Sequence, residues 1–448
     1  MELSDPHGTS GLTQHQLDAY WMPYTGNRQF KSDPRIFVEA QGCYYRDAQG
    51  RQIFDGLSGL WTCGLGHGRT EIAAAVSQQL TTLDFSPPFQ FGHRSAFKLA
   101  EQITQRMPDG LNRVFFVGSG SEAADTALKM ARAYWRIKGQ ASKTRFIGRA
   151  KGYHGVTFAG ISVGGMVGNR KMYGDGIDAD HLPHTMLPGN VFSRGMPATG
   201  VELADQLLEL IALHDASNIA AVIVEPFCGS AGVIIPPVGY LQRLREICDQ
   251  HQILLIFDEV ITGFGRSGAW TGADAFGVKP DLLNFAKQVT NGAIPMGGVV
   301  ATDAFYQTFM DAGGPHYAVE FPHGHTYSAH PVACAAGLAA LELLEREHAI
   351  ERVQELAPVL ESAVHGLRGS PHVTDIRNYG LAAGITLSSY PGEIARRPFE
   401  VAMACWRKGF YVRYGVDTLQ IAPPFISTPA QIDALVSALG EALHEQAH

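Results

Sequence analysis

No apolar run in this chain approaches the ~18 residues a membrane-crossing helix needs, and residues 1–20 lack the charged-then-apolar order of an export signal. Neither secretion nor membrane insertion is expected, and a cytoplasmic location follows. The six cysteines, at 43, 63, 228, 248, 334 and 405, include no C-x-x-C pair. That excludes a zinc ribbon and argues for reduced thiols over a disulfide framework. No basic stripe occurs and the net charge is −8, so nucleic acid is not an expected partner. Internal repeats and low-complexity tracts are missing as well. His316, His323, His325 and His330 lie close together, but proline and glycine interleave them and no carboxylate or cysteine completes a ligand set, so no metal is expected.

What the chain has in excess is glycine, 50 in 448 residues against the ~7% usual. Many glycines cluster between apolar runs, as in GLGHG, VGSGS and GFGRSG, where a backbone must turn tightly or approach a ligand. The first 15 or so residues are polar and read as loose. Residues 35–55 read as a hairpin. From about residue 70, helical patterns alternate with short apolar runs: VFFV (114–117), TRFIGRA, NIAAVIVEP (218–226), ILLIFDEV (253–260), DLLNFAKQ (281–288) and MGGVVAT. Strands without polar alternation, separated by helices, predict a mainly parallel sheet covered on both faces. Beyond PVACAAGLAALELLEREHA (331–349), strand patterns in DIRNYGLAAGITLS and FYVRYGVDTLQIAPP pair with helical ones at 350–368 and 429–446. The expected organisation is an N-terminal segment, 1–70, a large α/β domain, 71–330, and a smaller α+β domain, 331–448, completed by the N-terminal hairpin.

Two residues dominate the chemistry. Lys287 follows an apolar strand pattern and Asp258 closes another. A lysine able to form a Schiff base and a carboxylate on a buried strand are what pyridoxal phosphate chemistry requires. The amine joins the aldehyde, and the acid keeps the ring nitrogen protonated so that the ring can take up electrons. Each residue also has an ordinary explanation: most lysines are solvated, and Asp258 could cap the following loop. GSGSEA (118–123) joins VFFV to a helix, where backbone N–H groups at Gly120 and Ser121 could hold a phosphate on the helix dipole; Ser121 could equally be a plain N-cap. The spacing fits neither a Walker loop nor the dinucleotide fingerprint. Asp258 and Val260 lie two apart on one strand and so are expected to project from the same face, where Asp258 could reach a ring nitrogen while Val260 packs under the ring. Tyr153 could stack on a planar ring or sit in the core. Arg413 could fork a carboxylate or lie in solvent.

Together, the segments WMPYTGNRQF, SGLWTCGLGH, GSGSEA, YHGV, IVEPFCGSAGV, FDEVITGFGRSG, AKQVTNGAIPMG, EFPHGHTYSAHPVACAAG and FYVR resemble the class III, or ω-type, aminotransferases of pyridoxal phosphate fold type I, in particular those using β-alanine or ω-amino acids with pyruvate. The resemblance covers nearly the whole chain and implies a large domain with a seven-stranded sheet. It makes Lys287 the Schiff-base lysine and proton shuttle and Asp258 the partner of the pyridinium. Gly120 and Ser121 become phosphate ligands, with Tyr153, His154 and Val260 around the ring. It implies that Thr326 reaches the cofactor of a neighbouring subunit, giving a homodimer with shared sites, or a tetramer. Leu60, Trp61, Phe89, Tyr153 and Ala231 are implied as substrate-pocket lining, Phe89 from the partner, and Arg413 as the carboxylate-binding arginine. Glu225 aligns with an acid at the site rim. The implied reaction is ping-pong transfer of an amino group from an ω-amino acid or amine to pyruvate. Another donor (4-aminobutyrate, taurine, a diamine), or an aminomutase or racemase, is the alternative within the fold; a cofactor-free binding protein is the alternative outside it.

Overall fold

A computed structural model describes residues 11–446. The polar stretch expected to be loose falls mostly on residues 1–10, outside the described residues. From Gln14 to Ala19 the chain is helical, opened by a Thr13–Gln16 capping box.

The seven-stranded sheet follows the order Leu111–Val117, Gly297–Thr302, Leu282–Ala286, Leu254–Asp258, Ile219–Val224, Arg145–Arg149, Ala179–Leu182. Only Gly297–Thr302 runs against its neighbours; the other pairings are parallel. The central strands are buried along their whole length, which is why they read as continuous apolar runs. One face is covered by helix Gly120–Ile137, whose Ala123, Ala127, Leu128, Ala131 and Trp135 are buried in one cluster with Val117, Phe146, Ile223 and Ile256. Its N-cap is Ser119, accepting from the Glu122 amide at 3.2 Å, rather than Ser121.

Two smaller sheets differ from the expected layout. The N-terminal hairpin is a three-strand meander, Phe37–Gln41, Tyr44–Asp47 and Gln52–Asp55, and its last strand pairs in parallel with Phe410–Tyr411. FYVRYGVDTLQI is therefore divided between sheets: beyond Val412, the strands Arg413–Gly415 and Thr418–Ile421 join the antiparallel hairpin Val373–Tyr379/Ala382–Leu387. Helix Pro331–Arg346 is seated on the large sheet's helical layer, where Gly337 meets Leu99 and the carbonyl of Val289. All six cysteines are free. No helix among the described residues is long and apolar enough to cross a membrane.

Candidate active site

Parallel strands end side by side. Ligands of open α/β sheets bind just outside those carboxyl ends. Val224 is in register with Phe257, and Asp258 with Asn284. The residues that follow, Glu225 and Lys287, therefore emerge beside Asp258 at one edge. Here they share a cavity of about 180 Å³ with Ser119, Gly120, Ser121, Tyr153, Gly155, Val260, Ile261 and Ala286. The strand itself stops at Asp258, so Val260 lies in the turn beyond it; it reaches the cavity through that turn, not through strand alternation.

The Asp258 carboxylate is 5% exposed. It accepts from the Val260 amide at 3.2 Å and pairs with His154 Nδ1 at 2.9 Å. His154 is thus placed behind the carboxylate, itself buried. Glu225 accepts from the Tyr153 amide at 2.9 Å and the Gly229 amide at 3.1 Å, which fixes the loop carrying Tyr153. Burial raises the Glu225 pKa, with His154 opposing and Asp258 adding. Behind it, Arg149 donates to the Glu225 carbonyl at 2.8 Å and to Cys228 Sγ at 2.9 Å.

A helix N-terminus also lines the cavity, at Ser119, Gly120 and Ser121. Gly120 is required there by close approach: a Cβ would meet both Val260 methyls at 3.0 Å. Gly155 has φ +93°, and a Cβ on it would lie 2.5 Å from Ser121 Oγ, while the Val156 amide donates to that oxygen at 3.2 Å. The Tyr153 loop and the helix start are therefore locked together, leaving backbone N–H groups and the positive dipole end facing the cavity.

Removal from water holds the Lys287 amine down at about 8, with Asp258 and Glu225 opposing and Arg413 assisting. An amine shifted down from 10.5 is neutral roughly 10²-fold more often near pH 7 than an ordinary lysine. Labelling of Lys287 in cofactor-free protein should therefore rise with pH to a midpoint near 8. A midpoint near that of surface lysines, read by peptide mass spectrometry, would contradict this environment. Burial is also the main cause that pushes Tyr153 up to about 12, followed by Tyr24 and Asp258, with Arg413 opposing.

The remaining expected site residues lie outside this cavity. Arg413 lines an adjoining one with Tyr24, Arg35 and Tyr411, its charge still felt at Lys287 and Tyr153. Trp61 is buried, its indole Nε1 without a partner, and Arg266 stands 6.0 Å from its ring. Leu60 is exposed and Ala231 partly so. Phe89, 55% exposed, and Thr326, also exposed, stand away from this chain's cavity, Phe89 against Gly324. Of the clustered histidines, His323 bonds Thr126 and Lys129, and His330 caps helix Pro331–Arg346. Sequence reasoning overlooked Tyr24 and Arg149. For Arg149 the signal was an arginine closing the apolar run RFIGR.

A mostly parallel α/β sheet whose strand ends bring a lysine and two buried acids into a single small cavity beside a helix N-terminus defines an enzyme of the fold type I architecture. The chain belongs to the class-III aminotransferase family, whose model matches residues 26–443. It is 61% identical over 440 residues to the omega-amino acid–pyruvate aminotransferase of Pseudomonas putida, covering 98% of each chain. To the beta-alanine–pyruvate aminotransferase of Pseudomonas aeruginosa it is 62% identical, covering 96% of each. Among solved structures, an (S)-enantioselective omega-transaminase from Thermomicrobium roseum superposes with a TM-score of 0.90 at 31% identity, covering 96% of this chain and 97% of that one. An amine transaminase from an uncultivated Pseudomonas species, solved in its PLP-bound form, gives 0.88 at 35% identity, covering 96% and 99%.

Proposed function

We propose that this protein transfers the amino group of an ω-amino acid such as β-alanine, or of a simple amine, to pyruvate, forming alanine in two half-reactions on pyridoxal phosphate. The observation that carries the reading is the convergence of Lys287 and Asp258 in one cavity facing the Gly120 helix start. The donor set suits that cofactor at each end. Asp258 has no arginine or lysine partner among the described ion pairs, only His154, and a protonated ring nitrogen would supply the missing cation. The helix start offers N–H donors to a phosphate.

Bound there, pyridoxal phosphate would supply an aldehyde for the lysine amine and a ring that draws electron density from the substrate carbon. The protein's share is positional and acid–base. Gly120 and Ser121 hold the phosphate. Asp258, oriented by His154, keeps the proton on the ring nitrogen. Tyr153 and Val260 confine the ring, and Glu225 fixes Tyr153 through its backbone. Lys287 Nζ, in its neutral form, takes a proton from the substrate carbon and passes it on within the same half-reaction, and the second half-reaction runs that transfer in reverse. Arg413 binds the carboxylate of pyruvate or of the amino acid, and Leu60, Trp61 and Ala231 bound the substrate side.

The exposure of Phe89 and Thr326 supports their serving the neighbouring copy's site, so a homodimer is the smallest working unit, with a tetramer open to it. Residues 1–70 join the small domain to the active site, 71–330 form the cofactor-binding domain and 331–448 the small domain, and the location is cytoplasmic. A matrix of β-alanine, 4-aminobutyrate, taurine and 1-phenylethylamine against pyruvate and 2-oxoglutarate tests the reading. Alanine should form from pyruvate, with 2-oxoglutarate used poorly. Preference for 2-oxoglutarate, or turnover with no acceptor at all, would overturn it. In the same matrix Arg413→Ala should lower kcat/KM for β-alanine about 10²-fold, the loss expected for a desolvated charge pair, and spare 1-phenylethylamine as donor.

A further inference from the structure

Lys287 does not sit on its strand. Ala286 is extended, and Lys287 then turns into the left-handed region at φ +52°, opening a 3₁₀ turn, Lys287–Thr290, that closes on a second left-handed residue, Asn291, at φ +51°. Neither residue is glycine, so the surroundings must hold this backbone.

Two buried side-chain amides do so. Gln288, 3% exposed, accepts from the Gly64 amide at 2.7 Å and donates to Asn291 Oδ1 at 3.3 Å. Asn291, 6% exposed, accepts from the Leu65 amide at 2.9 Å and donates to the Gly66 carbonyl at 2.8 Å. Every backbone polar group so engaged belongs to the strand-less stretch 64–66. The fit leaves no spare room: a Cβ on Gly64 would lie 2.5 Å from both Gln288 Oε1 and the Phe425 ring, and one on Gly292 3.0 Å from Thr62. Upstream, the stretch is strained, with φ +50° at Ser58 and +65° at Trp61. Asp55 holds it by accepting from the Leu57 amide, and Arg266 by donating to Ser58 Oγ at 2.9 Å.

We propose that Gln288 and Asn291 form an amide latch that positions Lys287, fastening its left-handed turn to the 58–66 segment so that the amine is aimed into the cavity. The latch also couples the lysine to Leu60 and Trp61, because one rigid segment carries both. This rests on the reading of Lys287 as the cofactor-bearing lysine. Gln288→Met keeps the side-chain length and removes both hydrogen-bonding atoms. Asn291→Gly keeps a residue at ease in the left-handed region and removes only the amide.

The test strips full-length protein of pyridoxal phosphate, adds it back, and traps the bound cofactor with borohydride at timed intervals, locating it by peptide mass spectrometry. The pH midpoint of Lys287 labelling and the melting temperature are measured alongside. Capture at Lys287 should slow about tenfold in each variant, the scale expected of a misplaced reacting group, and the labelling midpoint should move up from about 8. A folded variant with a lower melting temperature but wild-type capture and midpoint would reduce the amides to a purely structural role and overturn the latch. Trapping on another lysine in the wild-type protein would instead overturn the reading of Lys287, a separate result. Should Gln288→Met fail to fold, Asn291→Gly decides alone.

Discussion

Replacing Lys287 with alanine is expected to lower turnover roughly 10⁴-fold or more, because in the proposed mechanism one side chain serves both as the covalent anchor and as the mobile base. The position offers no substitute. Every other titratable group lining the cavity is a carboxyl or Tyr153, whose hydroxyl burial has pushed up to about 12. None is an amine able to join an aldehyde. The variant should also lose the yellow colour of the loaded protein and should yield no pyridoxyl-labelled peptide after borohydride. Folding should survive, since removing a lysine whose charge is disfavoured by burial costs little. A variant that sustained many turnovers at near-normal rate would end the assignment.

Asp258→Asn is expected to be nearly as damaging, with kcat reduced roughly 10²–10⁴-fold. Asparagine fits the same space and can still meet His154 and the Val260 amide, so geometry is conserved while charge is lost. What disappears is the stabilisation of a proton on the ring nitrogen, and with it the ring's capacity to accept electrons. KM for pyruvate should change little, because Arg413 lies outside this cavity. An equal rise in KM with kcat intact would show that Asp258 binds substrate and does not tune the cofactor.

The central strands of the large sheet were legible because burial on both faces writes itself into the sequence as unbroken apolar runs, as in IAAVIV and LLIFD. The edge strand Ala179–Leu182 was not, since a short ADHL half open to solvent carries no such mark. Nor could the reversed direction of Gly297–Thr302 be read, because apolar burial has no polarity along the chain. Lys287 and Asp258 stood out by their position after apolar runs. Val260 was assigned to the cavity by a strand alternation that ends two residues too early, and it is the turn geometry that brings it in. The Ser119 cap lost out to Ser121 because the motif GSGSEA offers two serines, and only the helix start decides between them. The Gln288–Asn291 network depends on residues more than 200 positions away, a separation no local pattern reports.

The pairing of Phe54 with Phe410 has a consequence for biosynthesis. On the ribosome, the meander of residues 37–55 emerges with one edge open and must wait through most of translation for the strand that covers it. An uncovered edge is a template for intermolecular pairing. Nascent chains halted before residue 410 should therefore be more aggregation-prone than the finished protein, and the last strand of that sheet to arrive is the one that closes the seam.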